Sequence, residues 1–520
     1  MKHAALLDEN ETLKKKVNTL DEENRLLREQ LRFLKAQQFG PKTEKMSKLL
    51  GMQGQAALFE LEEVDDTSEK EKDDERETVT FKRRKSPGPK KLPDWFPREV
   101  IDHDLTDEEK VCGDCGLNME TIGKDVTEEL EYVPAQVKVL EHHHHKYACA
   151  RCSEAGDLEK ATAIKSAEKP ARLIPGSMAA SGLLAHVMIA KFADGLPFYR
   201  VEKQMTRLGI SLKRATMCNW AKKIGGCLKD QWDLLLEDAK THNWLQMDET
   251  TVQVMNEPDK DNQTKSFMWV IRGGPPDKVI ILFRYDPSRA GSVAGKLLEG
   301  YQGIVQTDGY AGYSHLAKLQ GVTHAGDMDH VRRKFADVCK AAGKNRKKKG
   351  FADQALERIN KLYAIERRLK RDKADVQEVV TTRQDEARPI LDQLKPWLEE
   401  LAAKVPPSGL LGKAINYTLK QWPKLLVYLD HGHVPLSTAL VENAIRPYVI
   451  GRKAWLFSGS PAGAQASAII YSFIETARAN GWEPHAYLRW LFERLPAAQT
   501  VEEKRALLPT VAPPFKGEPE

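Results

Sequence analysis

The sequence predicts a multidomain protein of mixed α and β structure, and three observations support this fold class. The chain has 520 residues, so about three or four structural units are expected rather than one core. A heptad pattern opens the chain, four cysteines form two close pairs, and strand-like and helix-like segments alternate after residue 243. The hydrophobic fraction of 41% is sufficient for buried cores, which excludes wholesale disorder.

The N-terminal heptads predict a parallel leucine-zipper coiled coil over residues 1–38. Asn10 and Asn24 occupy a positions, where asparagines that pair across the seam favour an in-register dimer. Three g-to-e′ charge pairs are also attractive in a parallel homodimer. An ordinary surface helix would explain part of this pattern but not all of it together. The predicted d-position leucines are Leu6, Leu13, Leu20, Leu27 and Leu34.

Residues 39–98 are predicted to be a flexible linker with an acidic and a basic part. Residues 51–80 contain eleven acidic and three basic residues, a net charge of −8 that leaves +13 for the rest of the chain. Residues 82–91 are basic and interrupted by proline and glycine. This basic part either follows a phosphate backbone or is simply a solvated half of the linker.

The two cysteine pairs predict a zinc-binding, ribbon-like domain over residues 99–168. Each Cys-x-x-Cys turn presents two thiolates, and two such turns complete a tetrahedral site for structural Zn²⁺. The histidine run at residues 142–145 is an alternative ligand source or a polar strand face. The four predicted zinc ligands are Cys112, Cys115, Cys149 and Cys152.

Residues 169–241 are predicted to be helical, with helix-turn-helix spacing and Ser211 as the candidate N-cap of the second helix. A plain helical hairpin would give the same pattern. Residues 199–229 contain eight basic residues and one acidic residue, which favours contact with double-stranded DNA. The candidate DNA-binding residues here are Lys213, Arg214, Asn219, Lys222 and Lys223.

From residue 242 onward the residue pattern changes from one typical of helices to one typical of β-strands. Predicted strands cover residues 244–254, 266–272 and 278–285, followed by a helix, a strand at 303–310 and a fifth strand at 322–327. This order is that of the ribonuclease-H fold, in which the first and fourth strands are neighbours. We therefore expect a ribonuclease-H-like α/β core.

Acidic residues stand at special places in this predicted core. Asp248 interrupts a hydrophobic strand and Asp308 ends another, and a buried carboxylate needs a cation or strong donors. Two neighbouring carboxylates and a third from a helix would hold two Mg²⁺ or Mn²⁺ ions for in-line phosphoryl displacement. Glu442, early in a predicted helix, is the best third acid. Its rivals are Glu475, Asp327 and Asp329.

Several motifs in one order resemble the insertion sequence 66 (IS66) family of bacterial transposases. They are Asp248-Glu249-Thr250, residues 307–313, 330–335, 442–447 and 451–457, along with the zipper, the paired cysteines and the tail at 474–481. The resemblance implies a DDE transposase whose triad is Asp248, Asp308 and Glu442. It also implies a core in two parts, 242–335 and 431–495, an α-helical insertion at 336–430, a tail at 496–520 and small accessory proteins.

Two segments depart from the family pattern. Residues 436–439 read Leu-Ser-Thr-Ala where the family often has Asp-Asn-Asn. Residues 327–330 read Asp-Met-Asp-His where it often has Cys-Trp-Ala-His.

His330 is a candidate for orienting a phosphate or protonating a leaving group, or is structural. Trp455 would stack on a base or pack in the core. Phosphate contacts near the acids are predicted for Arg332, Arg333, Lys334, Arg446, Arg452 and Lys453.

The expected function is metal-dependent DNA cleavage and strand transfer at element ends. The main alternative is a dimeric, zinc-containing DNA-binding regulator with a degenerate core, and another is a nuclease without strand transfer. A regulator has no need for acids on adjacent strands. No apolar run in the sequence is long enough to span a bilayer, and the N-terminus lacks the apolar region of a signal peptide, so a cytoplasmic, nucleoid-associated protein with no membrane partner is expected.

Overall fold

The computed structural model describes Lys16, Val100 and residues 137–148, 164–342 and 349–511. The predicted zipper residues other than Lys16, the whole predicted linker, the four paired cysteines and residues 343–348 lie outside the described residues. The chain divides into two compact units. One is Lys169–Lys516 together with Met1–Glu63, and the other is Val64–Glu168 together with Gly517–Glu520.

Within the unit Val64–Glu168 the structure describes one antiparallel hairpin. Its strands are β1 (Lys146–Ala148) and β2 (Ile164–Ser166). The N–H of Ala167 donates to the carbonyl of His145 at 3.0 Å, which extends the pairing by one bond. The histidine run at residues 142–145 lies directly before β1 and is mostly exposed.

The larger unit begins with four helices. They are α1 (Ser181–Phe192), α2 (Phe198–Arg207), α3 (Arg214–Cys227) and α4 (Lys229–Lys240). The predicted cap at Ser211 is wrong, because α3 begins at Arg214 with Lys213 in the N-cap position. Glu202 of α2 supplies the missing acceptor, since its Oε1 accepts from the Arg214 N–H at 3.3 Å. The single acid of this basic segment therefore stabilises the start of α3.

The centre of this unit is a mixed sheet. Strands β3 (Trp244–Val254), β4 (Lys265–Gly273) and β5 (Ile280–Asp286) form an antiparallel meander. Strands β6 (Gly303–Gln306) and β7 (Val322–Ala325) add in parallel on the other side of β3, which gives the order β5-β4-β3-β6-β7. The expectation that the first and fourth strands pair is confirmed. The connection from β5 to β6 contains α5 (Gly291–Leu297), and a 3-10 helix (Ala311–Lys318) precedes β7.

A helical segment follows the last parallel strand. It contains α6 (Met328–Ala341), α7 (Phe351–Asp372), α8 (Val376–Thr382), a π-helical turn (Arg383–Ala387), α9 (Arg388–Lys404), α10 (Leu410–Leu425) and the short α11 (Val427–Asp430). Their apolar faces form a hydrophobic cluster of their own, which also includes Trp244 and Ile304 of the sheet. This segment thus packs on the β6–β7 side and leaves the β3–β5 side to other helices.

The chain then returns to the sheet. Helix α12 (Ala439–Trp455) lies against β3 and β4, and the two-residue β8 (Phe457–Ser458) pairs in parallel with the end of β3. Helices α13 (Pro461–Ala479), α14 (Pro484–Arg494) and α15 (Val501–Ala506) complete the unit. Buried residues of α13 and α14 belong to one large core with α1–α4 and β3–β5. Among the described helices, none combines the length and the apolarity that a membrane span requires.

Helix α13 covers the outer edge of β5 with a ladder of side chains. Ser472, Thr476 and Asn480 each accept from one backbone N–H of the strand, at 2.8, 3.0 and 2.9 Å respectively. Thr476 Oγ1 and Asn480 Nδ2 also donate to the carbonyls of Ile281 and Val279. The geometry matches because four helical residues rise about 6.0 Å and two strand residues about 6.6 Å. An edge that would otherwise be open to pairing is therefore closed.

Candidate active site

The parallel pairing of β3 with β6 places two of the predicted acids side by side. The last pair in this register is Gln246 with Gln306. Strand β6 ends there, whereas β3 continues and meets β8 only at Gln253. Asp248 and Asp308 each follow the last pair by two residues. Both acids thus emerge where β3, among the described strands, loses its neighbour on that side.

Helix α12 brings the third predicted acid to the same place. Glu442 lies in its first turn. The N–H of Val441 donates to Gln246 Oε1 at 3.0 Å, so the start of the helix is bonded to β3 itself. The predicted position of Glu442, early in a helix, is confirmed.

A cavity of about 130 Å³ contains all three acids. Asp248, Asp308 and Glu442 line it, although they are separated by 60 and 134 residues in the sequence. The wall is completed by polar and apolar residues, which are Glu249, Thr250, Arg289, His330, Ile445 and Val449. The rival acid Glu475 lies on α13 and is absent from this lining.

The acids of this cavity strongly influence one another. Burial raises the pKa of Asp248 well above its usual range, and the nearby carboxylates of Glu249, Asp308 and Glu442 raise it further. Burial, and then Asp327, also raises the pKa of Glu442, although His330 and Arg333 oppose this. Crowded, partly buried carboxylates favour either protons or a bound cation. Three carboxylates offer the hard oxygen ligands that Mg²⁺ and Mn²⁺ prefer.

Glu249 is a fourth acid that sequence reasoning did not single out. It is buried and accepts bonds from Arg289 Nε and Nη2, at 2.8 and 2.6 Å, and from the Tyr313 hydroxyl. Burial and Asp308 raise the pKa of Glu249, and Tyr313 and Arg289 offset part of this rise. The Arg289 guanidinium also lies 3.7 Å from the ring centre of Tyr310. Glu249 is thus already committed to an ion pair within the wall.

Asp327 is the buried partner of His330. Its Oδ1 accepts from the N–H groups of Asp329 and Thr438, and its Oδ2 accepts from Thr438 Oγ1 and His330 Nδ1. Burial alone would lower the pKa of His330, but the Asp327 carboxylate outweighs it and raises the pKa to about 9. His330 Nδ1 also lies 3.8 Å from Glu442 Oε1. A cationic imidazole therefore stands beside the third acid.

Ligand atoms of Asp327, His330 and Glu442 lie within 4.8 Å of one another, a spacing that suits a metal ion. The two oxygens of a carboxylate provide about four acceptor positions, and Asp327 already uses four. Asp327 therefore acts here as an orienting group for His330 and for the residue before α12. Asp329, another rival of Glu442 as the third acid, accepts from the Tyr363 hydroxyl.

The predicted DNA-binding residues fall on two surfaces. Those of α3 and its N-cap are all exposed, whereas Gly225 is buried, and an added Cβ there would lie 2.6 Å from the Cα of Ala466 in α13. Helix α3 thus buries one face against α13 and presents its basic face outward. The exposed residues are Lys213, Arg214, Asn219, Lys222 and Lys223.

The second set lies close to the acids. Arg333 Nη2 is 3.8 Å from Glu442 Oε2, and Arg452 Nη1 donates to the hydroxyls of Thr250 and Thr251 at 3.1 and 3.3 Å. Lys334 Nζ lies 4.4 Å from the ring centre of Tyr417.

The remaining members of this set are at the surface or partly buried. Arg332 Nε donates to Asn360 Oδ1 at 3.0 Å, Arg446 is half-buried and Lys453 is exposed. Trp455 packs edge-on against Tyr448 at 5.6 Å between ring centres, which agrees with a core position.

Several relatives align with nearly the whole chain. Uncharacterized protein y4jD of Sinorhizobium fredii (strain NBRC 101917 / NGR234) is 28% identical over 502 residues, which cover 93% of this chain and 94% of the relative. Uncharacterized protein y4qI of the same strain is 28% identical and covers 92% of this chain and 87% of its own length. Uncharacterized protein y4hP is 30% identical, with 82% and 77% covered.

Four family models match successive parts of the chain. A family model described as "Transposase C of IS166 homeodomain" matches residues 26–101. It overlaps the predicted zipper, residues 1–38, only from residue 26 onward. The zinc-finger binding domain of transposase IS66 matches residues 109–153, which include both cysteine pairs and support Zn²⁺ as a cofactor. The IS66 C-terminal element matches residues 472–510. The transposase IS66 family model itself matches residues 176–466, more than half of the chain, and the chain therefore belongs to the IS66 family of transposases.

Proposed function

We propose that this chain is a DNA transposase that binds the terminal inverted repeats of an insertion sequence and catalyses metal-dependent DNA cleavage and strand transfer. The observation that carries the proposal is the convergence of Asp248, Asp308 and Glu442 on one cavity from three distant parts of the chain. These three residues would form a DDE site. Family membership supports the same conclusion.

The order of the sheet supports a ribonuclease-H-like core. Three antiparallel strands are followed by two parallel ones, and the acids emerge from the neighbouring strands β3 and β6. In this proposal the core has two parts, 242–335 and 431–495, and residues 336–430 are an α-helical insertion between them. The separate hydrophobic cluster of α6–α11 is what an inserted helical segment would form.

The donor set fits a divalent cation. Burial, and then the neighbouring carboxylates, raise the pKa of Asp248, and a bound cation would favour its ionised form. Mg²⁺ or Mn²⁺ held by Asp248, Asp308 and Glu442 would supply Lewis-acid stabilisation of the scissile phosphate and activation of an attacking hydroxyl.

The other residues of the wall have supporting roles in this proposal. Arg289 keeps Glu249 in an ion pair, which leaves Asp248, Asp308 and Glu442 as the acids of the lining available to a cation. His330 and Arg333 place positive charge beside Glu442, where a phosphate group would be stabilised. Asp327 holds His330 so that its Nδ1 carries the proton.

The remaining modules would bind DNA and assemble the protein. The exposed basic face of α3 is proposed to contact element ends or target DNA. Cys112, Cys115, Cys149 and Cys152 are proposed to hold a structural Zn²⁺, and the N-terminal leucines to form a homodimer or higher oligomer. The protein would act in the bacterial cytoplasm at the nucleoid, with small accessory proteins of the same element as possible partners.

A strand-transfer assay tests the proposal. Labelled DNA carrying candidate element ends, part of it already cut to expose the 3′-hydroxyl, is incubated with a target plasmid, Mg²⁺ or Mn²⁺ and the full-length protein. Pre-cut ends isolate strand transfer from any accessory protein needed for cleavage. We expect joined products with the wild type and none with Asp248→Asn, Asp308→Asn or Glu442→Gln, while binding of DNA persists.

Glu475→Gln is the matched control, because Glu475 is a buried acid outside the cavity, bonded to Arg478 at 3.0 Å. It should still join DNA. Equal activity of wild type and Asp248→Asn would rule out the proposed chemistry. Binding of element ends without cleavage or joining by the wild type would favour the alternative, a dimeric zinc-containing DNA-binding regulator.

A further inference from the structure

Gln246 and Gln306 form a buried amide pair between β3 and β6. Both side chains are fully buried. Gln246 Nε2 donates to Gln306 Oε1 at 2.8 Å and to the Ser437 carbonyl at 3.0 Å. Gln306 Nε2 donates to the carbonyls of Gly326 and Pro435, at 2.9 and 2.8 Å. Because a primary amide has two N–H donors, all four donors of the pair are used.

The acceptor side of the pair is also engaged. Gln246 Oε1 accepts from the N–H of Val441 in the first turn of α12, at 3.0 Å. One amide thus bonds both to the loop before this helix and to the helix itself. The neighbouring glutamine bonds to the same loop and to the turn between β7 and α6.

The members and partners of the pair lie next to the acids in the sequence. Each of four segments, far apart in the chain, is tied to the pair within two residues of an acid. Gln246 precedes Asp248 and Gln306 precedes Asp308 by two residues; Val441 precedes Glu442 and Gly326 precedes Asp327 by one.

We propose that the Gln246–Gln306 pair is a positioning device that sets Glu442 against Asp248 and Asp308. The inference rests on the proposed function, since it concerns the geometry of the same site. Neither glutamine lines the cavity, so both act through the backbone of the segments they join. They are positioning residues rather than catalytic ones.

Only a neutral amide meets the demands of this position. Apolar side chains would leave the carbonyls of Pro435 and Ser437 without their donors in a buried place, which is destabilising. Carboxylates would face these carbonyls with oxygen and would add negative charge beside acids that already repel one another. An amide donates twice and accepts without charge.

Gln306→Glu tests the proposal with a change of one group. It replaces the side-chain NH₂ by an oxygen of similar size, which then faces the carbonyls of Gly326 and Pro435. Mn²⁺ binding to the full-length protein is measured by electron paramagnetic resonance, and DNA joining is measured against Mg²⁺ concentration. We expect Mn²⁺ affinity to fall about 10- to 100-fold and the Mg²⁺ requirement to rise, with partial rescue of joining at high Mn²⁺.

Ser472→Ala is the matched control for stability. It removes a buried hydrogen-bonded hydroxyl from the α13–β5 ladder, so it should lower the melting temperature without changing Mn²⁺ affinity. If Gln306→Glu lowers the melting temperature in the same way and leaves Mn²⁺ affinity and the Mg²⁺ requirement unchanged, the pair is only structural and the proposal is wrong. Should Gln306→Glu not fold, Gln306→Met removes the donors without adding charge and decides the question by the same measurements.

Asp248→Asn separates this inference from the proposed function. If Asp248→Asn joins DNA as well as the wild type does, the proposed function fails and the pair has no site to position. If Asp248→Asn is inactive while folded Gln306→Glu keeps wild-type Mn²⁺ affinity, the positioning inference alone fails.

Discussion

The outer edge of β5 and the stretch of β3 beyond Gln246 both lie beside a helix, but their polar groups differ in kind. Along β5 the partners are the neutral side chains of Ser472, Thr476 and Asn480, and they bond to alternate strand residues. Beside β3 the space is lined by carboxylates, and burial together with these neighbouring acids raises the pKa of Asp248.

The α13–β5 ladder therefore stabilises the fold, whereas the acidic cavity beside β3 destabilises it. The α13–β5 ladder contains no ionisable group, so its contribution to stability does not depend on pH. The acidic cavity contains several, and like charges held together in a folded state are destabilising unless a cation is present. Clusters of perturbed acids in a cleft are typical of functional sites. Substitutions in the two regions should therefore have opposite effects on stability and activity.

Asp248→Asn should show the largest difference between its effect on activity and its effect on stability. We expect DNA joining to fall by about 10³-fold or more, because a lost metal ligand removes several kcal/mol of transition-state stabilisation. Without added Mg²⁺ the melting temperature at neutral pH should rise, since the substitution removes a buried acid whose pKa is raised in the folded state, while the amide oxygen can still accept from the Glu249 N–H. Thermal unfolding of the wild type and of Asp248→Asn, with and without Mg²⁺, measures this change in melting temperature.

The sign of the pH dependence follows from the raised pKa of Asp248. The folded protein holds this proton at a pH where the unfolded chain, with an ordinary pKa of about 3.9, has lost it. The contribution of Asp248 to stability therefore falls as the pH rises above about 4, and Asp248→Asn lacks this loss. A stability advantage of the variant that does not grow with pH would contradict the account.

His330→Gln tests the ion pair with Asp327. The folded pKa of His330 is about 9, against an ordinary value near 6.5, so its stabilising effect is complete below pH 6.5 and is lost as the pH rises through 9. The shift corresponds to about 3 kcal/mol at most. Chemical denaturation at pH 6 and pH 9.5 should show a destabilisation by the substitution that is larger at pH 6. The same difference at both pH values would show that the ion pair contributes nothing.

Thr476→Val tests the other side of the comparison. The substitution keeps the shape but removes a hydroxyl that bonds to both the N–H and the carbonyl of Ile281. We expect a loss of about 1–3 kcal/mol in the free energy of unfolding, equal at pH 6 and pH 9.5, and unchanged DNA joining by the folded protein. Thr206→Val is the matched control, because its hydroxyl bonds to the Glu202 carbonyl at the exposed surface. A pH-dependent effect of Thr476→Val would contradict the claim that the contribution of the α13–β5 ladder to stability is independent of pH.

Much of the sheet could be predicted from the sequence, because strand signals are local. The strand predicted at residues 244–254 has the observed bounds of β3, Trp244–Val254. The ends of elements were less predictable. Helical structure is predicted from residue 169, but α1 begins only at Ser181, since the Ser177 hydroxyl accepts from the Ala179 N–H in a turn. Strand β6 ends at Gln306 because Asp308 turns the chain by accepting from the Tyr310 N–H.

The site was predictable only in part. Asp248 and Asp308 are recognisable as acids in hydrophobic strands, and Glu442 as an acid early in a predicted helix that the family resemblance then places in the triad. The ion pair of Glu249 with Arg289 joins residues 40 apart and leaves no local pattern. The glutamine pair did leave a signal, because both strands carry the sequence Gln-x-Asp. A polar residue two positions before each acid, on a strand that is otherwise apolar, marks a side chain that must find a buried partner.

The smallest expected effect on stability concerns α3, which packs on the other side of α13. Lys222 is on its exposed face, so Lys222→Gln should change the free energy of unfolding by less than about 0.5 kcal/mol. If this face contacts phosphates, the slope of log binding constant against log salt should become less steep by about 0.9. Gly225→Ala on the buried face is the control, since its Cβ would meet Ala466, and it should lower stability without changing the slope. An unchanged slope in Lys222→Gln would remove this residue from the DNA contact and leave α3 as a purely structural helix at that position.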